Sequence, residues 1–574
     1  MMRMIALAPL GALLLAGCAA TRGPVTGTAP GPVAALQIIA FNDFHGHIDA
    51  DDQTVIPPGS PKGTEKVKAG GAANFAAAVA ALRAENPASA VVTAGDMIGA
   101  SPLSSGLFLD EPTIRIMNRI GIDYSALGNH EFDRGSKEIL RMQAGGCAKY
   151  TLREPCQILP AFPGASFKFL AANTVREDGT TLFPAYGIKT LTVSGRSVRI
   201  GFVGMTLKGT GDLASPSGVA GLHFADEAET ANKLVPALRA AGADILAVLI
   251  HEGGSVKFDV PDPGDCKYLT GDINPILQKL DPAFALVISG HTHQSYVCDY
   301  GKVDPSRPFL VSSAGQYGTL LTRITLDYDF GTKRLVGKHA ENLVVTQSAD
   351  SAAKQPEVAD LVSRYDAGAL AVRRRPVGKV GGPLTKTEEK SGESVLGDFI
   401  ADAQLAAMSA PDKGGAQFGI MNPGGVRAAI TPAADGTVTF GDLYAAQPFG
   451  NIVVTKALTG AQIRAALEKQ FDQVDDLRLL SVSQSLRYSY DTTKPAGQRV
   501  FDITLNGQPM TDGATYHVAM SNFLANGGDG YPMFAPGAQL ADGPSDLEAL
   551  EAYVAGAAVR QPPVPTRIRN LTPE

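Results

Sequence analysis

Five of the nine histidines in this 574-residue chain fall in four short polar runs, each placed where an apolar stretch stops. The runs are Asp43-Phe44-His45, Gly128-Asn129-His130-Glu131, His251-Glu252 and Gly290-His291-Thr292-His293. A fifth run, Gly95-Asp96, has the same setting and adds a carboxylate. The apolar stretches before them (Leu36 to Phe41, Ala90 to Ala94, Tyr124 to Leu127, Ile245 to Ile250, Phe284 to Ser289) have strand length, and helical patterns such as Gly71 to Arg83 and Thr113 to Ile120 lie between them. Continuous apolar strands separated by helices predict sheets buried on both faces. In layered α/β folds the carboxyl ends of strands converge on one edge, where ligands bind. Five strand ends thus bring imidazole, carboxylate and amide groups to one place, which is the donor set for a pair of hydrolytic metal ions. His47, His223, His339 and His517 fall outside this pattern and receive no role.

The length calls for two or more domains. A net charge of -7 and the lack of a basic stripe give no footprint for a nucleic-acid polymer. The run Arg373-Arg374-Arg375 reads as a solvated linker face. Around residues 330–375 the alternating pattern stops. Glu357 to Val372 reads as one amphipathic helix, and the linker is placed at 346–375, between a first domain over 35–345 and a second over 376–571.

The N-terminus has Arg3 and an apolar stretch, Ile5 to Leu15, too short for an ordinary transmembrane helix. Leu15-Ala16-Gly17-Cys18 resembles the bacterial lipobox, which implies a signal peptide over 1–18 and a lipid anchor on Cys18. Ala19 in place of Asp implies, in that sorting pattern, the outer membrane, with the chain periplasmic or at the cell surface. Residues 19–34 read as a Gly/Pro/Thr-rich tether. Four further cysteines, an even number in an exported chain, suggest two disulfides. Three pairings are possible. The favoured one joins Cys147 to Cys156 as a local clip and Cys266 to Cys298 as a staple beside the His291/His293 loop.

The polar runs together resemble the signature of the calcineurin-like binuclear metallophosphoesterases: D-x-H, G-D, G-N-H-[DE], H and G-H-x-H, with no block missing. The resemblance implies an N-terminal four-layer α/β/β/α sandwich. It implies that Asp43, His45 and His293 bind one metal, that Asn129, His251 and His291 bind the other, and that Asp96 bridges both. Thiolate-free ligands of this kind suit Zn, Mn, Co or Fe. His130 is then free to hydrogen-bond the phosphoryl group or protonate the leaving oxygen, with Asp133 orienting its ring.

The C-terminal half carries Asn422-Pro423-Gly424-Gly425-Val426-Arg427, Gln447-Pro448-Phe449-Gly450-Asn451 and Ser521 to Tyr531, and a Glu393-Ser394 block. These resemble the substrate-binding domain of the two-domain bacterial 5′-nucleotidases and UDP-sugar hydrolases, an α/β (α+β) domain. Phe449 and Phe523 would sandwich a base, Arg427 would hold phosphate, and Asn422 and Asp529 would reach base or sugar. Lys390 stands where the family usually has an arginine, and supplies a point charge without the planar fork. The resulting expectation is an exported 5′-nucleotidase serving nucleotide salvage, with nucleotides as its partners, no obligate protein partner, and nucleotide-sugars or other nucleotides as further substrates. The alternatives are a 2′,3′-cyclic-nucleotide phosphodiesterase with 3′-nucleotidase activity, a thiosulfohydrolase on a related fold, and a non-enzymatic nucleotide-binding surface lipoprotein.

Overall fold

The computed structural model describes residues 31–573 except 51–52, 61–63, 152, 215–217, 257–263 and 473–476. The expected leader, Cys18 and most of the tether lie outside the described residues.

Two sheets stack face to face in the first domain. The first has the spatial order Arg334–Val344, Leu320–Asp329, Val33–Phe41, Ser89–Thr93, Tyr124–Ala126, Lys168–Leu170. The second runs Gly264–Asp265, Ser295–Asp299, Leu310–Ala314, Leu286–Ser289, Ile245–Ile250, Arg196–Met205, Tyr186–Val193. The strand period of two explains why both faces had to be apolar. Along Val33–Phe41, Leu36, Ile38 and Ala40 enter the layer between the sheets, with Phe202, Ala247 and Leu249 from the opposite sheet. Ile39 and Phe41 point the other way, onto the helices Ala72–Glu85 and Glu111–Ile120. On the far side Leu246, Val248 and Ile250 meet Leu238, Ile273 and Leu277 of the helices Glu227–Ala240 and Ile273–Lys279. This is the expected four-layer α/β/β/α sandwich. Each fully buried Ile or Phe in it contributes about 1.5–3 kcal/mol. Val33–Phe41 is parallel to Ser89–Thr93, which is parallel to Tyr124–Ala126. Ile245–Ile250 is parallel to Leu286–Ser289. The five strand ends therefore open on the same edge.

The second domain is mixed α and β. Its main sheet has the order Ser481–Val482, Phe418–Met421, Thr515–Ser521, Ile452–Thr459, Ala538–Ser545, and a four-stranded sheet adjoins it. The linker helix is Pro356–Arg373. It belongs to the outer layer of the first domain: Tyr365 is fully buried edge-on to Phe108 at 5.1 Å, and Arg373 pairs with Asp49 at 3.3 Å. One apolar cluster runs across both domains, joining Leu103, Phe108 and Tyr365 to Leu396, Leu443 and Tyr444. Both favoured disulfides are formed, with Cα–Cα separations of 5.8 Å for Cys147–Cys156 and 5.1 Å for Cys266–Cys298. Among the described residues no helix is long and apolar enough to cross a membrane.

The second domain buries more negative than positive charge. Glu393, Asp398 and Asp402 surround a single guanidinium, Arg567, whose Nη2 donates to Asp402 at 2.7 Å and whose Nε stays 3.5 Å from Asp398. Burial pushes the Asp398 carboxyl up to about 8; Arg567 opposes this, and Glu393 and Asp402 add to it. A carboxyl raised on folding binds its proton in the native state while the unfolded chain has lost it. Stability therefore falls as pH rises from the ordinary value of 3.8 to about 8, by up to ~1.4 kcal/mol per pH unit. Asp398→Asn removes that dependence. In thermal melts the advantage of the variant should widen from pH 4 to about pH 8 and then level off; a gap that does not change with pH would contradict this.

Candidate metal centre

Two triads assemble at the strand-end edge. Asp43, His45 and His293 form one, and Asp96, His251 and His291 the other; within each, the ligand atoms lie within 4.8 Å of one another. His45 Nε2 and His293 Nε2 approach to 3.1 Å, and Asn129 Oδ1 sits 3.1 Å from His291 Nδ1 and 3.2 Å from His251 Nε2. Asp96 Oδ2 lies 2.9 Å from His251 Nε2 and 3.7 Å from His45 Nε2, so one carboxylate faces both triads. Two ring orientations follow from the outer contacts. His45 Nδ1 lies 2.9 Å from Gly99 O and His251 Nδ1 lies 2.8 Å from Ala94 O. A carbonyl can only accept, so each Nδ1 carries a proton and each Nε2 is the atom turned to the centre. Burial holds His45 and His291 well below the ordinary imidazole range. At His251 burial is outweighed by Asp96, which raises the ring to about 10, so a cation entering there replaces the Nε2 proton. Imidazoles and carboxylates facing each other across a space this small fit a pair of divalent cations.

The backbone is bent to reach this geometry. Asp43, His45, Asp96, His291 and His293 all have positive φ, between 46° and 71°. Non-glycine residues seldom adopt this region, and strain of about 1–3 kcal/mol each persists only where the surroundings enforce it. Here Asp43 N donates to Gly95 O and His45 N to Asp96 O, both at 3.0 Å, and His291 N donates to Asp43 Oδ2 at 3.0 Å. The glycine of the Gly128-Asn129-His130-Glu131 run is required by space, since a Cβ there would lie 2.0 Å from Asp96 Oδ1.

His130 completes neither triad. Its backbone N–H donates to Asp96 Oδ1 at 2.9 Å, and its Nδ1 meets both oxygens of Asp133 at 3.0 and 3.1 Å. Asp133 Oδ2 is itself fixed by Ala100 N at 2.9 Å. Burial pulls the imidazole down, but Asp133 and Asp96 outweigh it, so His130 titrates above the ordinary value.

The second domain reaches this edge. Phe449 stacks over His130 at 5.7 Å and 14°, and the Arg427 guanidinium stands 5.8 Å from the Phe449 ring. Asn422 Nδ2 donates to Asp529, whose backbone is also left-handed, φ 54°. Phe523 lies against Gly528, where a Cβ would come within 2.5 Å of its ring. Lys390 is exposed, as is Lys386, whose ammonium is held below the ordinary range by desolvation and then by the charges of Arg427 and Arg478.

Residues 36–295 match the family description calcineurin-like phosphoesterase, and residues 376–536 match 5′-nucleotidase, C-terminal domain. The cell wall protein Lmo0130 of Listeria monocytogenes is 30% identical over 555 residues, covering 91% of this chain and 68% of that protein. The endonuclease YhcR of Bacillus subtilis is 30% identical over 535 residues, 92% of this chain; the chain spans only 40% of that longer protein. The solved structure of a 5′-nucleotidase precursor from Thermus thermophilus aligns with a TM-score of 0.73 and 25% identity, covering 94% of this chain and 100% of that one. The chain belongs to this two-domain 5′-nucleotidase family.

Three residues to which the sequence assigns no role, Asn42, His47 and Glu131, shape the family site in this chain. Asn42 ties the first metal loop to the loop after Leu310–Ala314, accepting from Ala314 N and donating to Gly315 O, both at 2.7 Å. His47, set aside on sequence, stacks on Tyr317 at 3.9 Å. Glu131 accepts the backbone N–H groups of Asp96, Met97, Ile98 and Gly128 at 2.9, 2.8, 3.2 and 2.5 Å. Burial and the Asp96 charge push its carboxyl up, while these donors favour its ionised form. Glu131→Ala leaves the donors without a partner. It should destabilise the protein by at least ~3 kcal/mol and weaken metal affinity ~10–100-fold. Denaturant melts and metal titration measure both, and an unchanged metal affinity would show that the Asp96 loop holds itself.

Proposed function

We propose that this chain is an exported, metal-dependent phosphohydrolase that releases phosphate from nucleoside 5′-monophosphates for nucleotide salvage. The observation that carries this reading is the approach of Arg427 and Phe449, from one domain, to His130 and the two ligand triads of the other. When bound, a pair of divalent cations (Zn, Mn, Co or Fe) supplies Lewis acidity for the phosphoryl oxygens and the attacking water. Asp43, His45 and His293 would hold one ion and Asn129, His251 and His291 the other, with Asp96, which faces both triads, within reach of each. Arg427 grips the phosphate with its fork. His130, oriented by Asp133, donates a proton to the departing nucleoside oxygen. Phe449 and Phe523 stack the base, and Asn422 and Asp529 accept or donate to the sugar. Nucleotide-sugars fall within the same recognition. Two disulfides support export, as does the cell-wall relative, and the lipobox-like Leu15 to Cys18 run supports an outer-membrane lipid anchor on Cys18.

His130→Ala should keep both metals and lower kcat for AMP by about 10²–10⁴-fold; unchanged turnover in the folded, metal-loaded variant would remove His130 from the reaction. Phe449→Ala and Phe523→Ala should raise KM for AMP while hardly changing hydrolysis of a small phenyl phosphate, because one stacked face is worth about 1–3 kcal/mol. Equal losses on both substrates would make these rings structural and would withdraw the nucleotide reading.

A further inference from the structure

The helix Phe440–Ala446 carries the second domain's approach to the metal edge. Ala446 O accepts Arg427 N at 2.9 Å, and Phe449, just beyond the helix, stacks over His130. A capping box of Thr439 and Asp442 opens the helix. Phe440 N donates to Arg375 O at 2.8 Å, so the first turn hangs from the end of the linker. The other end of the helix rests on the first domain. Tyr444 is buried there, and it lies so near the short helix Leu103–Gly106 that a Cβ on Gly106 would stand 2.3 Å from its hydroxyl. A buried tyrosine hydroxyl needs a hydrogen-bond partner, and this one meets Arg153.

Arg153 belongs to the first domain and lies on the loop that the Cys147–Cys156 disulfide closes. Its Nη1 donates to Gly106 O at 2.7 Å and to the Tyr444 hydroxyl at 3.3 Å, and its guanidinium stands 5.3 Å from the centre of the Tyr444 ring. One side chain thus bonds a carbonyl of its own domain and both the hydroxyl and the ring face of a residue from the other. A charged donor and a cation over an aromatic face gain strength where water is excluded. On a free loop the long arginine side chain would lose much of that gain to its own ordering. This loop is not free. The disulfide closes it, and Cys156 N donates to Glu111 Oε1 at 3.0 Å, which also accepts the buried Arg141 at 2.8 Å.

We propose that Arg153 is a positioning residue that latches the two domains together: held by the Cys147–Cys156 loop, it bonds Tyr444 and covers its ring, and so fixes the helix Phe440–Ala446 with Arg427 and Phe449 beside His130. Arg153 touches neither ligand triad nor His130, and it acts through Tyr444 alone. The proposal deepens the phosphohydrolase reading and rests on it for the roles of Arg427 and Phe449.

The test uses metal-loaded full-length protein and a double-mutant cycle. KM and kcat for AMP, and Kd for inorganic phosphate by calorimetry, are measured for wild type, Arg153→Ala, Tyr444→Phe and the double variant. Arg153→Ala should raise KM and the phosphate Kd about tenfold and change kcat less than about twofold, because fewer molecules hold the competent arrangement while the chemistry in those that do is untouched. Tyr444→Phe keeps the ring and loses the hydroxyl. It should raise both constants by a smaller factor, and in the Arg153→Ala background it should add less than about twofold. Arg153→Lys, which keeps a charge for the ring face, should recover part of the loss. Wild-type KM and Kd in Arg153→Ala, or a Tyr444→Phe penalty that multiplies in full in the double variant, would overturn the proposal. A loss confined to kcat or Tm would overturn it too, since it would make the contact merely structural. If Tyr444→Phe fails to fold, Arg153→Ala and Arg153→Lys carry the test, and equal losses in the two would count against the latch. The phosphate arm needs no turnover. Wild type that binds phosphate but leaves AMP intact would remove the nucleotidase reading, and the phosphate constants would still decide the role of Arg153.

Discussion

Asp96 is buried, negatively charged, and in contact with both ligand triads and with the His130 backbone. One oxygen faces His251 and His45, from the two triads, and the other accepts the His130 backbone N–H. Burial alone would raise its carboxyl; His251, His130 and His45 reverse that and hold it well below the ordinary range. An isolated carboxylate at this depth would be expensive. The architecture around it follows from keeping it charged and fixed. Glu131 pins its loop from below, Gly128 leaves room for its oxygen, and the strained backbones at Asp43, His45, His291 and His293 turn their side chains toward it.

The sandwich supplies the rigidity that such a site requires. Strands buried on both faces give the loops fixed starting points, and the loops can then adopt conformations that would not survive alone. The second domain is joined to this frame through the apolar cluster around Tyr365 and Tyr444, and its Arg427 and Phe449 arrive beside His130. Neither domain holds both the triads and the rings of Phe449 and Phe523. Under the proposed function chemistry and recognition are divided between two bodies, and their relative placement becomes part of the site.

The strand-end ligands were legible in the sequence because two periodicities coincide there: an apolar run stops, and a metal-binding type begins. The layered sandwich came from the family resemblance, and the two disulfide pairs from an even cysteine count and a preference among three pairings. Tyr317 and His47 were not legible. A tyrosine in a glycine-rich loop has no periodic signature, and its place beside the centre comes from a left-handed turn and a backbone hydrogen bond to Asp43, more than 270 residues away in sequence. The linker helix was visible, but its docking on Phe108 was not, because an amphipathic stripe does not name its partner.

The central claim is that five strand ends hold two cations through one shared carboxylate. Anomalous diffraction from crystals grown with Mn or Zn tests it most directly. Two peaks about 3.5–4 Å apart are expected, one within reach of Asp43, His45 and His293, the other within reach of Asn129, His251 and His291, and both bonded to Asp96. A single peak, or two peaks of which one makes no bond to Asp96, would contradict it.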